Sequence, residues 1–298
     1  LMRDILQQPL NLPCGVVISN RIVKAAMTEG LADPNGLPTS NLERLYGIWS
    51  DGGAGLLLSG NIQIDGQHLE RPGNVIIQSK PDNILADRLK SWVREGVRNG
   101  NHFWAQISHA GRQTQTNINK NPKAPSPIRL ALPGGQFGCP VALSSEEIEE
   151  IIQRFSIAAV ACQQAGFTGI QIHAAHGYLI SQFLSPLANV RTDHYGGTLD
   201  NRARILVHII KSVRLAVGNS FPISVKLNSA DFQKGGFNFR DSLQVAKWLE
   251  DIGTDVLEIS GGTYEQPKLL GMEGVGEYEE QEISESTSQR EAYFADFS

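Results

Sequence analysis

The chain has 298 residues, with 26 Lys and Arg against 31 Asp and Glu, a formal charge of −5. Apolar residues make up 41% and charged residues 19%, an ordinary globular balance. The acidic balance offers no basic stripe to nucleic acid. No apolar run approaches the ~18 residues of a membrane span, and Leu1 to Leu10 lacks the basic-then-apolar pattern of a secretory leader. The expectation is a soluble, cytoplasmic protein with no nucleic-acid or membrane partner. Three scattered cysteines, Cys14, Cys139 and Cys162, form no Cys-x-x-Cys pair, which argues against an iron–sulfur cluster or structural zinc.

Along the chain one pattern recurs: a helical stretch ends at Gly, and a short apolar run follows and ends in a polar residue. Gly closes a helix in the left-handed conformation, and the run after it has strand length. A first strand is expected at about Ile22–Ala26. Gly52-Gly53-Ala54-Gly55 leads into Leu56–Ser59, and Gly100 into Phe103–Ile107. Ser144 and Glu147 form a capping box that opens a helix to about Ala165. Ile148, Ile151, Ile152, Phe155 and Ala159 give that helix one apolar face. Gly166-Phe167-Thr168-Gly169 then leads into Ile170–His173. Asp200 is expected to cap a helix ending before Gly218, ahead of a strand at Ile223–Leu227. A helix over about Asp241–Ile252 stops at Gly253 and precedes Val256–Ser260, and a final helix is expected near Ser288.

Strands alternating with helices imply βαβ units and a parallel sheet, hence a (β/α)8 TIM barrel as a single domain over 1–298. Too few residues follow Ser260 for two more units of ~30 residues or more. The barrel is therefore expected to stop after its sixth unit, without strands 7 and 8. Two long loops, 112–143 and 261–287, are expected to line or cover the site. The second holds Glu273, Glu277, Glu279, Glu280, Glu282 and Glu285 against a lone Lys268, a run expected to be a solvated surface.

In such barrels the chemistry sits where the strands end. Those ends carry Met27-Thr28-Glu29, Ser59-Gly60-Asn61, Gln106 with Ser108, His109 and Arg112, His173 with His176 and Tyr178, Lys226 with Asn228 and Asp231, and Glu258 with Ser260. Alternation puts Gln171 and His173 on one side of their strand, and Lys226 and Asn228 on one side of theirs. A Lys inside a barrel needs a partner or a ligand. Two imidazoles three residues apart with a phenol two residues on suit an oxygen-bearing substrate. They also suit a metal with His109 or Asp231 as third ligand, so a metal-dependent barrel hydrolase is a remote alternative.

The chain resembles the Old Yellow Enzyme family of FMN-dependent NAD(P)H:flavin oxidoreductases and ene-reductases. The resemblance rests on Asn20 to Thr28, Trp104 to Gln113, His173 to Tyr178 with its continuation to Arg202, and Val225 to Asn228. Ser59-Gly60-Asn61 and Ser229-Ala230-Asp231-Phe232 are worded most like fungal members, and Arg290 to Phe294 resembles the family's sixth helix. The resemblance implies Gln106 at the flavin pyrimidine edge, Lys226 in place of the commoner Arg near flavin N1 and O2, and Thr28 beside O4. It implies the backbone of Ala26, Met27, Gly60 and Asn61 against the ring. It implies His173 and His176 on the substrate carbonyl oxygen, Tyr178 as proton donor and no metal. The implied reaction passes hydride from NADH or NADPH through FMN to an electron-poor alkene such as an α,β-unsaturated carbonyl. A homo-oligomer is left open. A barrel without its last strands is expected to hold FMN weakly, which keeps a catalytically inactive family remnant, serving as a binding protein, as the alternative.

Overall fold

Apolar runs after glycine turns become the strands of one parallel sheet. The structure, a computed structural model, describes residues 5–267 and 274–277. Its strands are β1 Leu10–Asn11, β2 Val17–Ile18, β3 Val23–Lys24, β4 Leu56–Leu58, β5 Ile62–Gln63, β6 His102–Ser108, β7 Lys123–Ala124, β8 Val141–Ala142, β9 Gly169–Ala174, β10 Ile223–Asn228 and β11 Val256–Ser260. Its helices are α1 Ser40–Asp51, α2 Asn83–Gly96, α3 Ser145–Ala165, the short α4 Leu179–Leu184, α5 Leu199–Val217 and α6 Phe239–Asp251. The main sheet runs β11-β10-β9-β6-β4-β3, parallel throughout, with β5 also pairing β6. Among the described residues no further strand joins the outer edge of β3 or β11.

Period-two alternation sorts each strand into two faces. Leu57, Phe103, Ala105, Ile170, Ile172, Val225 and Leu227 point to the helices and join Trp92, Phe155, Leu206 and Ile209 in the main core. The opposite face is apolar at the strand starts, where Leu56, Leu58 and Trp104 pack with Leu12 and Ile18 from the β1–β2 hairpin. Gly169 lies against the Trp104 indole, in space that a Cβ would fill. Further along the same face the residues turn polar: Gln106, Gln171, His173, Lys226, Asn228, Glu258 and Ser260. The inside of the sheet is thus plugged at one end and chemical at the other.

The capping box forms as expected: Ser144 Oγ accepts from the Glu147 amide and the Glu147 carboxylate from the Ser144 amide, and Gly166 closes α3 at φ 102°. The start of α5 differs. Thr198 is its N-cap, while Asp200 lies inside the first turn. There Asp200 still faces the positive end of the helix dipole. The stretch 112–143 is anchored: Arg112 pairs with Glu265 at 2.9 Å, and the Arg191 guanidinium donates to the carbonyls of Pro125 and Leu143. Within the acidic loop Glu277 pairs with Lys234 at 2.8 Å. Lys268, Glu273, Glu279, Glu280, Glu282, Glu285, the Ser288 helix and Arg290 to Phe294 lie outside the described residues.

Candidate active site

The site grows from the end of β9. His176 and Gly177 both take left-handed backbone, φ 62° and 77°, a strained state for His. The reversal carries Tyr178 back toward His173. A Cβ on Gly177 would strike the Gln113 side chain. The His173 and His176 ring centroids lie 5.1 Å apart, His173 and Tyr178 4.8 Å, and His176 and Tyr178 6.5 Å.

Hydrogen bonds fix these rings. The Ala175 amide donates to His173 Nδ1 at 3.2 Å, so in neutral His173 the proton sits on Nε2. The His176 amide donates to Asn228 Oδ1, and its Nε2 lies 2.5 Å from Ser260 Oγ, which leaves Nδ1 for a ligand. Burial above all, then the neighbouring His176 and Lys226, holds His173 well below the usual imidazole range. Burial and then Lys226 push His176 down to about 3. Both rings are neutral near pH 7. Burial above all, with Tyr264 and Glu70 nearby, raises Tyr178 well above the usual phenol range.

Beneath the rings a hydrogen-bonded row crosses the sheet. Gln106 Nε2 donates to Gln171 Oε1 at 2.8 Å, Gln171 Nε2 to Glu258 Oε2 at 2.8 Å, and Lys226 Nζ lies 2.9 Å from Glu258 Oε1. Gln106 and Lys226 come from β6 and β10, and β9 between them supplies Gln171. On the β3 side, Thr28 Oγ1 donates to Asn61 Oδ1 at 3.1 Å, and the Gly60 amide donates to Glu29 Oε1 and to the Tyr46 hydroxyl, each at 3.0 Å. Ala26 is half-buried, and Met27 is exposed.

The structure thus gathers His173, His176, Tyr178, Gln106 and Lys226 at the end of the sheet, and it places Thr28, Gly60 and Asn61 together at β3 and β4. His109 is elsewhere. It joins Asp65 and His68, whose ligating atoms all lie within 4.8 Å of one another. Among the described residues neither His173, His176 nor Asp231 belongs to a three-ligand group. The Asp65 cluster is built for protons: backbone amides of Lys123 and Gly111 donate to His68 Nε2 and His109 Nδ1. That leaves His68 Nδ1 facing Asp65 at 3.0 Å, while His109 Nε2 stays 3.9 Å from Asp65 without a hydrogen-bond partner among the described residues, and Arg154 also reaches Asp65 at 3.0 Å. A metal there would displace both amide bonds.

Sequence reasoning missed Tyr264 and Glu70. Tyr264 lies four residues beyond β11, as Tyr178 lies four beyond β9, and that shared spacing was the available signal. Tyr264 lines a cavity of about 170 Å³ with His176, Tyr178, Gly262 and Pro267.

The donor set suits a flavin. Gln106 keeps Oε1 free once Nε2 binds Gln171. The Lys226 ammonium has three N–H donors and, among the described residues, one acceptor, Glu258. An acceptor and a spare cationic donor on one row match the polar edge of an isoalloxazine.

A parallel βα sheet with its polar side chains gathered at the strand termini is the plan of one side of a (β/α)8 barrel. Residues 6–269 match the NADH:flavin oxidoreductase / NADH oxidase family. An NADH-dependent flavin oxidoreductase, iliE, of Hypocrea jecorina is 35% identical over 97% of this chain and 74% of its own length. The iliE oxidoreductase of Neonectria sp. is 34% identical over 88% of this chain but only 36% of its own length. An NADH oxidase of Thermoanaerobacter brockii is 40% identical over 86% of this chain and 39% of its own. Among solved structures, a 2-naphthoyl-CoA reductase complex superposes with TM-score 0.82 at 28% identity, covering 89% of this chain and 41% of that one. The old yellow enzyme homologue of Zymomonas mobilis gives 0.78 at 26%, covering 92% and 77%. The chain belongs to the NADH:flavin oxidoreductase / NADH oxidase family, whose cofactor is FMN and whose reductant is NAD(P)H. It spans between about a third and three-quarters of the length of these relatives.

Proposed function

We propose that the chain carries the FMN- and substrate-binding part of an NAD(P)H-dependent oxidoreductase that reduces electron-poor alkenes such as α,β-unsaturated carbonyls. One observation supports this most: two neutral imidazoles and a buried phenol converge above a row that ends in Gln106 and Lys226. The backbone of Ala26, Met27, Gly60 and Asn61, with Thr28, Gln106 and Lys226, would hold FMN. When bound, FMN supplies hydride transfer from the nicotinamide to the substrate.

The remaining work falls to side chains. His173 and His176 receive the substrate carbonyl oxygen, each offering a neutral N–H. Charge develops on that oxygen as the alkene is reduced, and preorganised donors stabilise it without reorganising. Tyr178, held beside His173, gives the proton that the adjacent carbon needs. Lys226 keeps a positive charge at the floor while Glu258 fixes its position. The neighbour that is a 2-naphthoyl-CoA reductase supports an unsaturated, carbonyl-bearing substrate class.

FMN titration followed by flavin fluorescence, then anaerobic assay with NADH or NADPH and cyclohexenone, tests the proposal. Saturable binding and saturated ketone product are expected. A chain that binds no FMN at micromolar concentration overturns it in favour of an inactive remnant of the family.

A further inference from the structure

The Tyr178 hydroxyl is bonded to another phenol. Tyr178 Oη and Tyr264 Oη lie 2.9 Å apart, and Tyr264 Oη reaches Glu70 Oε1 at 3.5 Å. Glu70 is buried, and Arg71, whose side chain is 52% exposed, binds the same Oε1 through Nη2 at 2.8 Å. No hydrogen bond joins Tyr178 to either imidazole: His173 Nδ1 accepts from the Ala175 amide, His176 Nε2 lies against Ser260 Oγ, and the second nitrogen of each ring is left for a ligand.

Donor counting sets the direction of this chain. An ionised carboxylate only accepts, so Tyr264 donates to Glu70 and accepts from Tyr178. At rest the Tyr178 proton therefore points away from the histidines. A substrate that draws that proton leaves a developing phenolate in a dry site, where it needs a donor. The longer Tyr264–Glu70 bond is the weaker of the two, so the Tyr264 hydroxyl is free to swing from Glu70 to Tyr178.

We propose that Tyr264 is the proton relay behind Tyr178, with Glu70 as the residue that positions it. The inference rests on the alkene-reduction reading above. As the new substrate C–H bond forms, the Tyr178 O–H bond breaks. As the Tyr264 O–H bond breaks, that of Tyr178 re-forms, and Tyr264 regains its proton from water. Each turnover thus takes one hydride from NAD(P)H and one proton from solvent. Tyr264 acts through Tyr178 and need not touch the substrate.

Tyr264→Phe and Glu70→Gln test this in the FMN-loaded protein, with melting temperatures as the folding control. Reduction by NADH should stay within about twofold. Reoxidation by cyclohexenone should slow about tenfold or more in Tyr264→Phe, less than the ~10²–10⁴-fold of losing the acid itself because Tyr178 stays in place. Its rate in H2O/D2O mixtures should change from curved, with two protons in flight, to linear. Independently of turnover, the ¹³Cζ resonance of Tyr178 should shift in Glu70→Gln, because a connected hydroxyl chain transmits the change through Tyr264. Should Tyr264→Phe not fold, Glu70→Gln alone carries the test. A Tyr178 signal indifferent to Glu70→Gln, or a Tyr264→Phe protein that keeps its rate and its curved dependence, overturns the relay. If the wild type reduces no such alkene, the reaction proposed above fails, and a Tyr178 response to Glu70→Gln then supports the hydroxyl chain by itself.

Discussion

Lys226 sits directly opposite His173 in the β9–β10 ladder, with its ammonium 2.9 Å from Glu258 Oε1 on the next strand. One ladder register therefore decides three things. It places a cation at the floor of the site, it gives that cation a fixed counter-ion, and it sets a positive charge against His173 that helps keep the ring neutral.

Lys226→Met should weaken FMN binding by about tenfold or more, because a charged hydrogen bond is worth ~1.5–3 kcal/mol. Removing one partner of a buried pair costs ~3–5 kcal/mol, less where a partner keeps solvent. Glu258 keeps 25% side-chain exposure, so about 2 kcal/mol of stability should be lost. Lys226→Arg preserves the charge and should retain most of both. Fluorescence titration and urea unfolding measure the two effects. Unchanged FMN affinity in Lys226→Met would remove Lys226 from the cofactor site.

The histidines predict an acid limb. In the fold His176 ionises at about 3, against ~6.5 for an exposed imidazole. As pH falls the unfolded chain takes the proton first. The contribution of His176 is thus fully present above ~6.5 and is lost on descent toward its folded value, at up to ~1.4 kcal/mol per pH unit. His176→Gln should show a shallower fall in urea-derived stability between pH 7 and 5. Parallel curves for the two proteins would contradict the burial argument.

Tyr178→Phe separates the two halves of the reaction. General acid catalysis contributes ~10²–10⁴-fold, so reduction of cyclohexenone should fall by about that factor while reduction by NADH, which needs no protein acid, stays near wild type. Stopped-flow measurement of each half reads this directly. Equal losses in both halves would assign Tyr178 a structural role.

How much of this was legible in the sequence depends on the range of the contact. The strand ends and the α3 capping box were readable because period-two alternation and a Ser-x-x-Glu spacing are local. The start of α5 was less so: Thr198 and Asp200 are both cap-forming residue types, and the backbone bond from Arg202 to Thr198 decides between them. His173, His176 and Tyr178 could be grouped because one turn holds all three. Tyr264 could not be joined to Tyr178, 86 positions away, nor to Glu70, 194 positions away. Those contacts exist only because loops from different strands meet over one end of the sheet. His109, weighed with Asp231 as a third ligand in the remote metal alternative, lies apart from the histidine pair for the same reason, since its partners Asp65 and His68 belong to a loop after β5.

The last of these long-range contacts makes its own prediction. Arg112 and Glu265 are each 8% exposed at the side chain and lie 2.9 Å apart. Glu265 Oε1 also accepts from the Ala131 amide, so a single carboxylate ties the 112–143 stretch to the loop that carries Tyr264. Glu265→Ala leaves Arg112 buried without its counter-ion and should cost ~3–5 kcal/mol. Replacing both partners by Met and Leu should recover much of that loss, since an apolar pair of similar volume carries no desolvation penalty. Stability and catalysis should then separate. The double variant would fold yet lose the bond that orients the Tyr264 loop, so alkene reduction would remain slow while urea unfolding approached wild type. A double variant no more stable than Glu265→Ala would show that the loss does not come from leaving the Arg112 charge buried and unpaired.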